Sequence, residues 1–265
     1  MQNLNNSRHK IPVVLTAFGT SEKAFLTYGH MDGIFRSAFG ERPIEWAYSS
    51  RLISSRSKGT YNCNIKDPLE VLNQLILDGH EWAVVQSLHI TGGHEFQRLV
   101  RQVYKLDIRV SMGLPLLTSV QDYMETIDAL SSLVPEGDDE AVIFAGHGTD
   151  HPAWTSYVAL GVFLKQKYGP KVFVGVLEGC PDINHTIDRI KAHGFKKVRI
   201  VPLMLVAGMH FKRELTGRED SWEKSLREHG IQVDVIPQGL GETEEINRIF
   251  IRHITEALDV IPLKA

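Results

Sequence analysis

Two stretches of this chain, "VLTAFGTSEKAFLTY" from Val14 and "IFAGHGTDHPAWTSY" from Ile143, superimpose without a gap, and this duplication constrains the fold more than any other feature. It matches Gly19 to Gly148, Thr20 to Thr149, Phe25 to Trp154 and Tyr28 to Tyr157, at an offset of 129. Later, "QSLHITGGHEF" lies over "VPLMLVAGMHF", with Leu88 on Leu203, Gly93 on Gly208 and Phe96 on Phe211, at an offset of 115. A long unit that recurs once is a duplicated half, not a solenoid.

Within each half, short β-branched runs alternate with amphipathic stretches, the pattern of βα units around a parallel sheet. The expected strands are Ile11 to Phe18, Ile44 to Tyr48, Trp82 to Ile90 and Ile108 to Met112, then Ala141 to Ala145, Lys171 to Leu177, Lys197 to Leu205 and Val233 to Pro237. In "DPLEVLNQLILDGH", Leu69, Leu72, Leu75 and Ile76 share one helical face and Gly79 supplies a stop. The expectation is an α/β chain of two similar domains, each a parallel four-stranded sheet flanked by helices, with a cleft between them at the carboxyl ends of the strands. The polar, turn-rich "VPEGDDE" sets the boundary, giving domains 1–134 and 135–265, with the last helix, near 242–258, a candidate to pack back onto the first.

The halves differ where chemistry would sit. At the end of the first strand Phe18 stands opposite His147; after the second, Ser50 opposite Glu178; after the third, Glu95 opposite His210. The second half thus carries two imidazoles and a carboxylate after three successive strands of one sheet. That donor set suits a borderline divalent ion such as Co, Fe, Ni or Zn, with coordination positions left open. Plain readings stand beside it: a packed histidine in a βα turn for His147, an exposed ring for His210, and an acid favoured by a helix dipole for Glu178.

Composition limits the alternatives. A formal charge of −3 argues against nucleic acid or an anionic membrane as the main partner. No stretch approaches a transmembrane length and no secretory leader is legible, so a cytoplasmic location is expected. The two cysteines, Cys63 and Cys180, form no CxxC pair and are expected as buried, inert thiols. The first loop, "AFGTSEKAF", has neither a GxGxxG nor a GxxxxGK[ST] pattern, so no nucleotide cofactor is expected.

"AGHGTDHPAWTSY", "VLEGCPDINHTIDRI" and "VPLMLVAGMHF", with "FGTS" and "QSLHITGGHEF" in the first half, resemble the sirohydrochlorin cobaltochelatases of anaerobic vitamin B12 synthesis, class II chelatases related in fold to ferrochelatase. The resemblance covers nearly the whole chain. It implies insertion of Co(II), with Fe(II) or Ni(II) as further candidates, into sirohydrochlorin, an acidic tetrapyrrole. It further implies that His147 and His210 bind the metal, that Glu178 is a third ligand or a proton acceptor, and that Glu95 acts from the opposite wall. An Fe(II) chelatase making sirohaem and a non-catalytic metal or tetrapyrrole carrier are the competing readings. Phe18, Thr20, Ser21 and Ser50 are candidates for contact with the macrocycle, as are Trp154 and Phe211, with Arg51, Arg56, Lys58, Lys212 and Arg213 on the rim. His89 or His94 is a candidate for an additional metal or haem at a subunit contact, and a homo-oligomer is compatible with the sequence. His151 and His185 are candidates for orienting ligands, and His80, His193, His229 and His253 are expected near helix ends.

Overall fold

The computed structural model describes residues 11–19, 25–50, 65–208, 211–217 and 220–262, with the backbone alone at 211 and 212. The described strands are β1 (Val13–Ala17), β2 (Ile44–Tyr48), β3 (Trp82–Ser87), β4 (Arg109–Gly113), β5 (Glu140–Gly148), β6 (Val172–Glu178), β7 (Lys197–Leu203) and β8 (Gln232–Val235). They form two parallel sheets of four strands, ordered β2-β1-β3-β4 and β6-β5-β7-β8. The order is the same in both, so each sheet reverses its direction of growth beside its own first strand, between β1 and β3 and between β5 and β7.

The two sequence offsets reproduce the hydrogen-bond register. Val13 pairs with Val84; moved by 129 and 115, these positions become Val142 and Arg199, which are paired in the second sheet. On the other side of β1, Ala17 pairs with Tyr48, and the corresponding pair in the second sheet is Gly146 with Val176. The duplication is therefore conserved in strand pairing as well as in sequence.

The strands read as continuous apolar runs because both of their faces are covered. Period-two alternation sorts their side chains. Val13, Leu15 and Ala17 of β1 and Val142 and Phe144 of β5 enter one core shared by the two halves. Val14 of β1 faces a second cluster with Val71, Leu72 and Leu99, and Ala141, Ile143 and Ala145 of β5 face a third with Ile187, Ile190 and Trp222.

The helices are α1 (Phe25–Phe39), α2 (Pro68–Leu77), α3 (His94–Val103), α4 (Val120–Ala129), α5 (Thr155–Tyr168), α6 (Ile183–Ala192), α7 (Trp222–Glu228) and α8 (Glu244–Asp259). Helix α2 starts in a capping box between Asp67 and Glu70 and ends before Gly79 at φ +82°. Its buried face is Pro68, Val71, Leu72 and Leu75, so Leu69 and Ile76, expected on that face, lie at its margins.

Helix α8 leaves the second sheet and packs against β3, β4, α1 and α4 of the first half. Ile246, Ile249, Phe250, Ile254, Ala257 and Leu258 enter the shared core. His253, expected near a helix end, lies within the helix and is only 3% exposed. Its Nδ1 meets the Leu114 carbonyl at 2.9 Å and its Nε2 meets Asp122 at 2.8 Å. A buried ring with two acceptors was indistinguishable, by sequence spacing alone, from a surface histidine in the last turns of a helix.

Candidate active site

His147 lies between two glycines, Gly146 and Gly148, each required by what surrounds it. Strand β5 runs on to Gly148, past the expected end at Ala145, so His147 belongs to the strand end itself. A Cβ on Gly146 would lie 2.4 Å from Cε1 of the buried Tyr157 ring. Gly148 has φ +84°, and a Cβ there would lie 1.9 Å from the Glu178 carbonyl oxygen. Neither neighbour of His147 can carry a side chain without displacing a ring or a backbone carbonyl. The His147 Nδ1 lies 3.4 Å from the Gly148 carbonyl, which can only accept. A ring that donates from Nδ1 to this carbonyl keeps its lone pair on Nε2, the arrangement that suits a metal-binding imidazole.

Glu178 is the last residue of β6 and is paired in register with Gly148. The pairing sets the histidine and the acid at adjoining strand ends, with the Glu178 side chain exposed. Gly179 follows at φ +103°, and the chain turns through Cys180 into α6. Cys180 is exposed, contrary to the buried thiol expected, because this turn projects beyond the carboxyl edge of the sheet. His210 lies outside the described residues, as do Thr20, Ser21, Arg51, Arg56, Lys58 and Cys63. Among the described residues, no three His, Cys, Asp or Glu side chains form a group able to hold a metal ion.

The opposite wall comes from the first half. Glu95 stands in the first turn of α3, and its Oε2 accepts from Ser49 Oγ at 3.1 Å and from Arg98 Nη2 at 2.5 Å. The same Arg98 nitrogen donates to the Ser49 carbonyl at 2.8 Å. Ser49 and Arg98 were not singled out from sequence. One signal was available for Arg98: it follows Glu95 by three positions, as Arg213 follows His210. Ser50, the residue that was expected to contact a macrocycle, is 8% exposed, and its amide donates to the Phe18 carbonyl. Phe18 is 45% exposed and Trp154 38%, whereas Arg213 is exposed on the short helical turn Phe211–Leu215.

The two walls touch. His94 Nε2 and Asp150 Oδ1 are 2.8 Å apart, and the His94 ring meets the His151 ring edge-on at 5.0 Å between centroids. His151 Nδ1 accepts from the Ala153 amide, which fixes that ring at the start of the helical turn Pro152–Trp154. His89 falls just beyond β3, which ends at Ser87 rather than at Ile90. Its Nδ1 bonds Ser87 Oγ at 2.8 Å, while its Nε2 is shielded and has no partner among the described residues. Burial, assisted by the nearby Arg98 charge, pushes its pKa down to about 4, so the ring is neutral over most of the pH range. Burial likewise raises the Tyr157 hydroxyl.

The sequence pattern of the cobalt chelatase (CbiK) family matches residues 11–259, nearly the whole chain. The chain belongs to the cobalt chelatase family. A sirohydrochlorin cobaltochelatase of Salmonella typhimurium is 32% identical over 225 residues, covering 83% of this chain and 85% of that protein. The sirohydrochlorin cobaltochelatase CbiKC of Nitratidesulfovibrio vulgaris is 30% identical over 258 residues, covering 94% and 91%. Among solved structures, SirB from Bacillus subtilis with Fe3+ superimposes with a TM-score of 0.65 at 14% identity, over 94% of this chain and 95% of that one. The sirohydrochlorin chelatase SirB of Bacillus subtilis subspecies spizizenii, in complex with cobalt, gives 0.64 at 13%, over 94% and 96%. The two four-stranded parallel sheets are thus the chelatase fold, and the protein is a metal chelatase with cobalt as its substrate metal. No helix among the described residues is long and apolar enough to cross a membrane.

Proposed function

We propose that this chelatase inserts Co(II) into sirohydrochlorin, with release of two protons, in anaerobic cobalamin biosynthesis. The observation that carries the reading is the pairing of Gly148 with Glu178, which sets His147 and Glu178 at adjoining strand ends beside the point where the sheet reverses direction. His210 follows β7 on the other side of β5 and is taken as the second imidazole.

Insertion of a divalent ion into a free tetrapyrrole is ligand exchange coupled to deprotonation. The ion sheds its water and protein ligands as four pyrrole nitrogens replace them, and two N–H protons must leave. His147, basic at Nε2, and His210 bind Co(II) by neutral imidazoles, which hold a borderline ion and still exchange it. An imidazole freed of the ion accepts one proton near neutral pH, and the Glu178 carboxylate offsets the ion's charge and accepts the other. Glu95, held by Ser49 and Arg98, presents a second carboxylate from the facing wall. The exposed Phe18 and Trp154 rings offer apolar surface to the macrocycle. Fe(II) and Ni(II) fit the same donors, and Fe(II) insertion is a side activity of this reading.

The test is anaerobic absorbance spectroscopy of sirohydrochlorin with Co(II), comparing the native chain with His147→Ala and His210→Ala. Conversion to the cobalt macrocycle, lost in variants that keep the native circular dichroism, is the expected result. A native rate no faster than the spontaneous reaction overturns the proposal, and tight macrocycle binding without turnover assigns the protein as a carrier.

A further inference from the structure

The duplicated halves contain a pair of buried tyrosines that serve corresponding turns with different contents. Tyr28 and Tyr157 occupy matching positions of the repeat and are each 3% exposed. The phenol oxygen of Tyr28 is in polar contact with the backbone of Gly19, and that of Tyr157 with the backbone of Gly148. Both glycines have positive φ, +95° and +84°. In the first half the residue before the glycine is Phe18; in the second it is His147. The same tyrosine contact therefore holds a turn with no metal-donor side chain before its glycine in one half and the candidate metal-binding turn in the other.

Tyr157 has two further contacts placed to steer His147. Its ring fills the space above Gly146, on the other side of the histidine from Gly148, so one side chain bounds the backbone both before and after His147. Its hydroxyl is also in polar contact with Thr91, a nearly buried residue of the opposite wall. The loop bearing Thr91 closes on the His147 loop: a Cβ on Gly93 would sit 3.6 Å from Thr149 Oγ1, and His94 meets Asp150 at 2.8 Å. Tyr157 thus joins the backbone that aims His147 to the wall that carries Glu95.

We propose that Tyr157 is a positioning residue for the chelation reaction, holding the His147 turn in its ligand geometry and referencing it to the facing wall through Thr91. This deepens the proposed function and rests on His147 as a metal ligand. Partners that orient metal-ligating histidines contribute roughly 10–100-fold to metal affinity or activity, which sets the size of the expected effect.

The internal repeat supplies the control. Tyr157→Phe and Tyr28→Phe each keep the ring and remove one buried hydroxyl beside a left-handed glycine, so a purely structural role lowers thermal stability in both without separating them in Co(II) affinity. Co(II) alone is titrated anaerobically into each folded variant and followed by its visible absorption, and kcat and KM are then measured with sirohydrochlorin. Tyr157→Phe is expected to weaken Co(II) binding about tenfold or more, alter the visible band and lower kcat, while Tyr28→Phe leaves Co(II) affinity unchanged. Equal Co(II) affinity and equal kcat in Tyr157→Phe and the native chain overturn the proposal, as does an equal weakening in both variants. His147→Ala is titrated alongside: if it abolishes Co(II) binding while Tyr157→Phe has no effect, the positioning role alone fails. If His147→Ala binds Co(II) like the native chain, the assignment of His147 as a ligand fails and the positioning role with it.

Discussion

Replacing Asp122 by alanine removes the carboxylate on which the last helix is fastened to the first half. Asp122 is 1% exposed; its Oδ1 accepts from Arg252 Nη2 at 2.5 Å and His253 Nε2 at 2.8 Å, and its Oδ2 accepts from the Ser119 amide at 2.6 Å. Breaking one partner out of a buried charged group costs about 3–5 kcal/mol because the remaining charge is left uncompensated. Arg252 keeps Glu125 at 2.9 Å and Glu256 at 3.0 Å, which favours the lower end of that range, while loss of the capping contact at Ser119 adds about 1 kcal/mol. The expected loss is roughly 4 kcal/mol, or a fall in Tm of about 8–16 °C for a chain of this size. Urea unfolding and differential scanning calorimetry measure it, and a loss below about 1 kcal/mol refutes the view that this cluster fastens the helix. The pH dependence supplies an independent check. Burial opposes ionisation of Asp122, but the bonds from His253, Arg252 and Ser119 outweigh it and hold its carboxyl well below the usual range. A depressed pKa contributes stability that is present above the unfolded value near 4 and lost as pH falls below it. The gap between native and variant stability is therefore complete above about pH 4 and narrows progressively as the pH falls below it.

Gly148→Ala forces a Cβ to within 1.9 Å of the Glu178 carbonyl and places alanine at φ +84°. It is expected to destabilise by about 2–5 kcal/mol and to lower Co(II) affinity, read by urea unfolding and Co(II) titration; native-like values in both would refute the close approach of these strand ends. In Arg98→Gln, the His89 pKa, about 4 in the native chain, is expected to rise yet stay below the ordinary histidine value, because burial is its larger cause. NMR titration of the ring decides this, and a His89 that titrates normally in the variant contradicts it.

The fold was legible because duplication made each sequence feature testable against its copy. The offsets that aligned Gly19 with Gly148 and Gly93 with Gly208 also relate the residue pairs of one sheet to those of the other, since register is set by the same apolar spacing that sequence comparison detects. His147 stood out for the same reason: its counterpart is Phe18, so the difference itself marked a candidate site. What was not legible came from contacts between distant segments. Ser49 meets Glu95 across 46 positions, Tyr157 reaches Thr91 in the other half, and His253 meets Asp122 across 131; none has a local pattern. The strand ends shifted for a related reason. Strand β5 continues through "GHG" because Gly148 can approach β6 without a side chain, although glycine in sequence usually signals a turn.

The return of α8 to the first half orders the events of synthesis. Phe250 and Ile254 belong to the core that also contains Val13, Leu15 and Val84, yet they are added to the growing chain more than a hundred residues after that sheet is complete. While the second half is being translated, the first sheet waits with part of its apolar face uncovered and with Asp122 lacking the two side chains that later saturate it. A ribosome stalled before α8 would therefore display an exposed greasy surface on the first half, a state suited to capture by a chaperone, and release of the finished helix would close both halves at once.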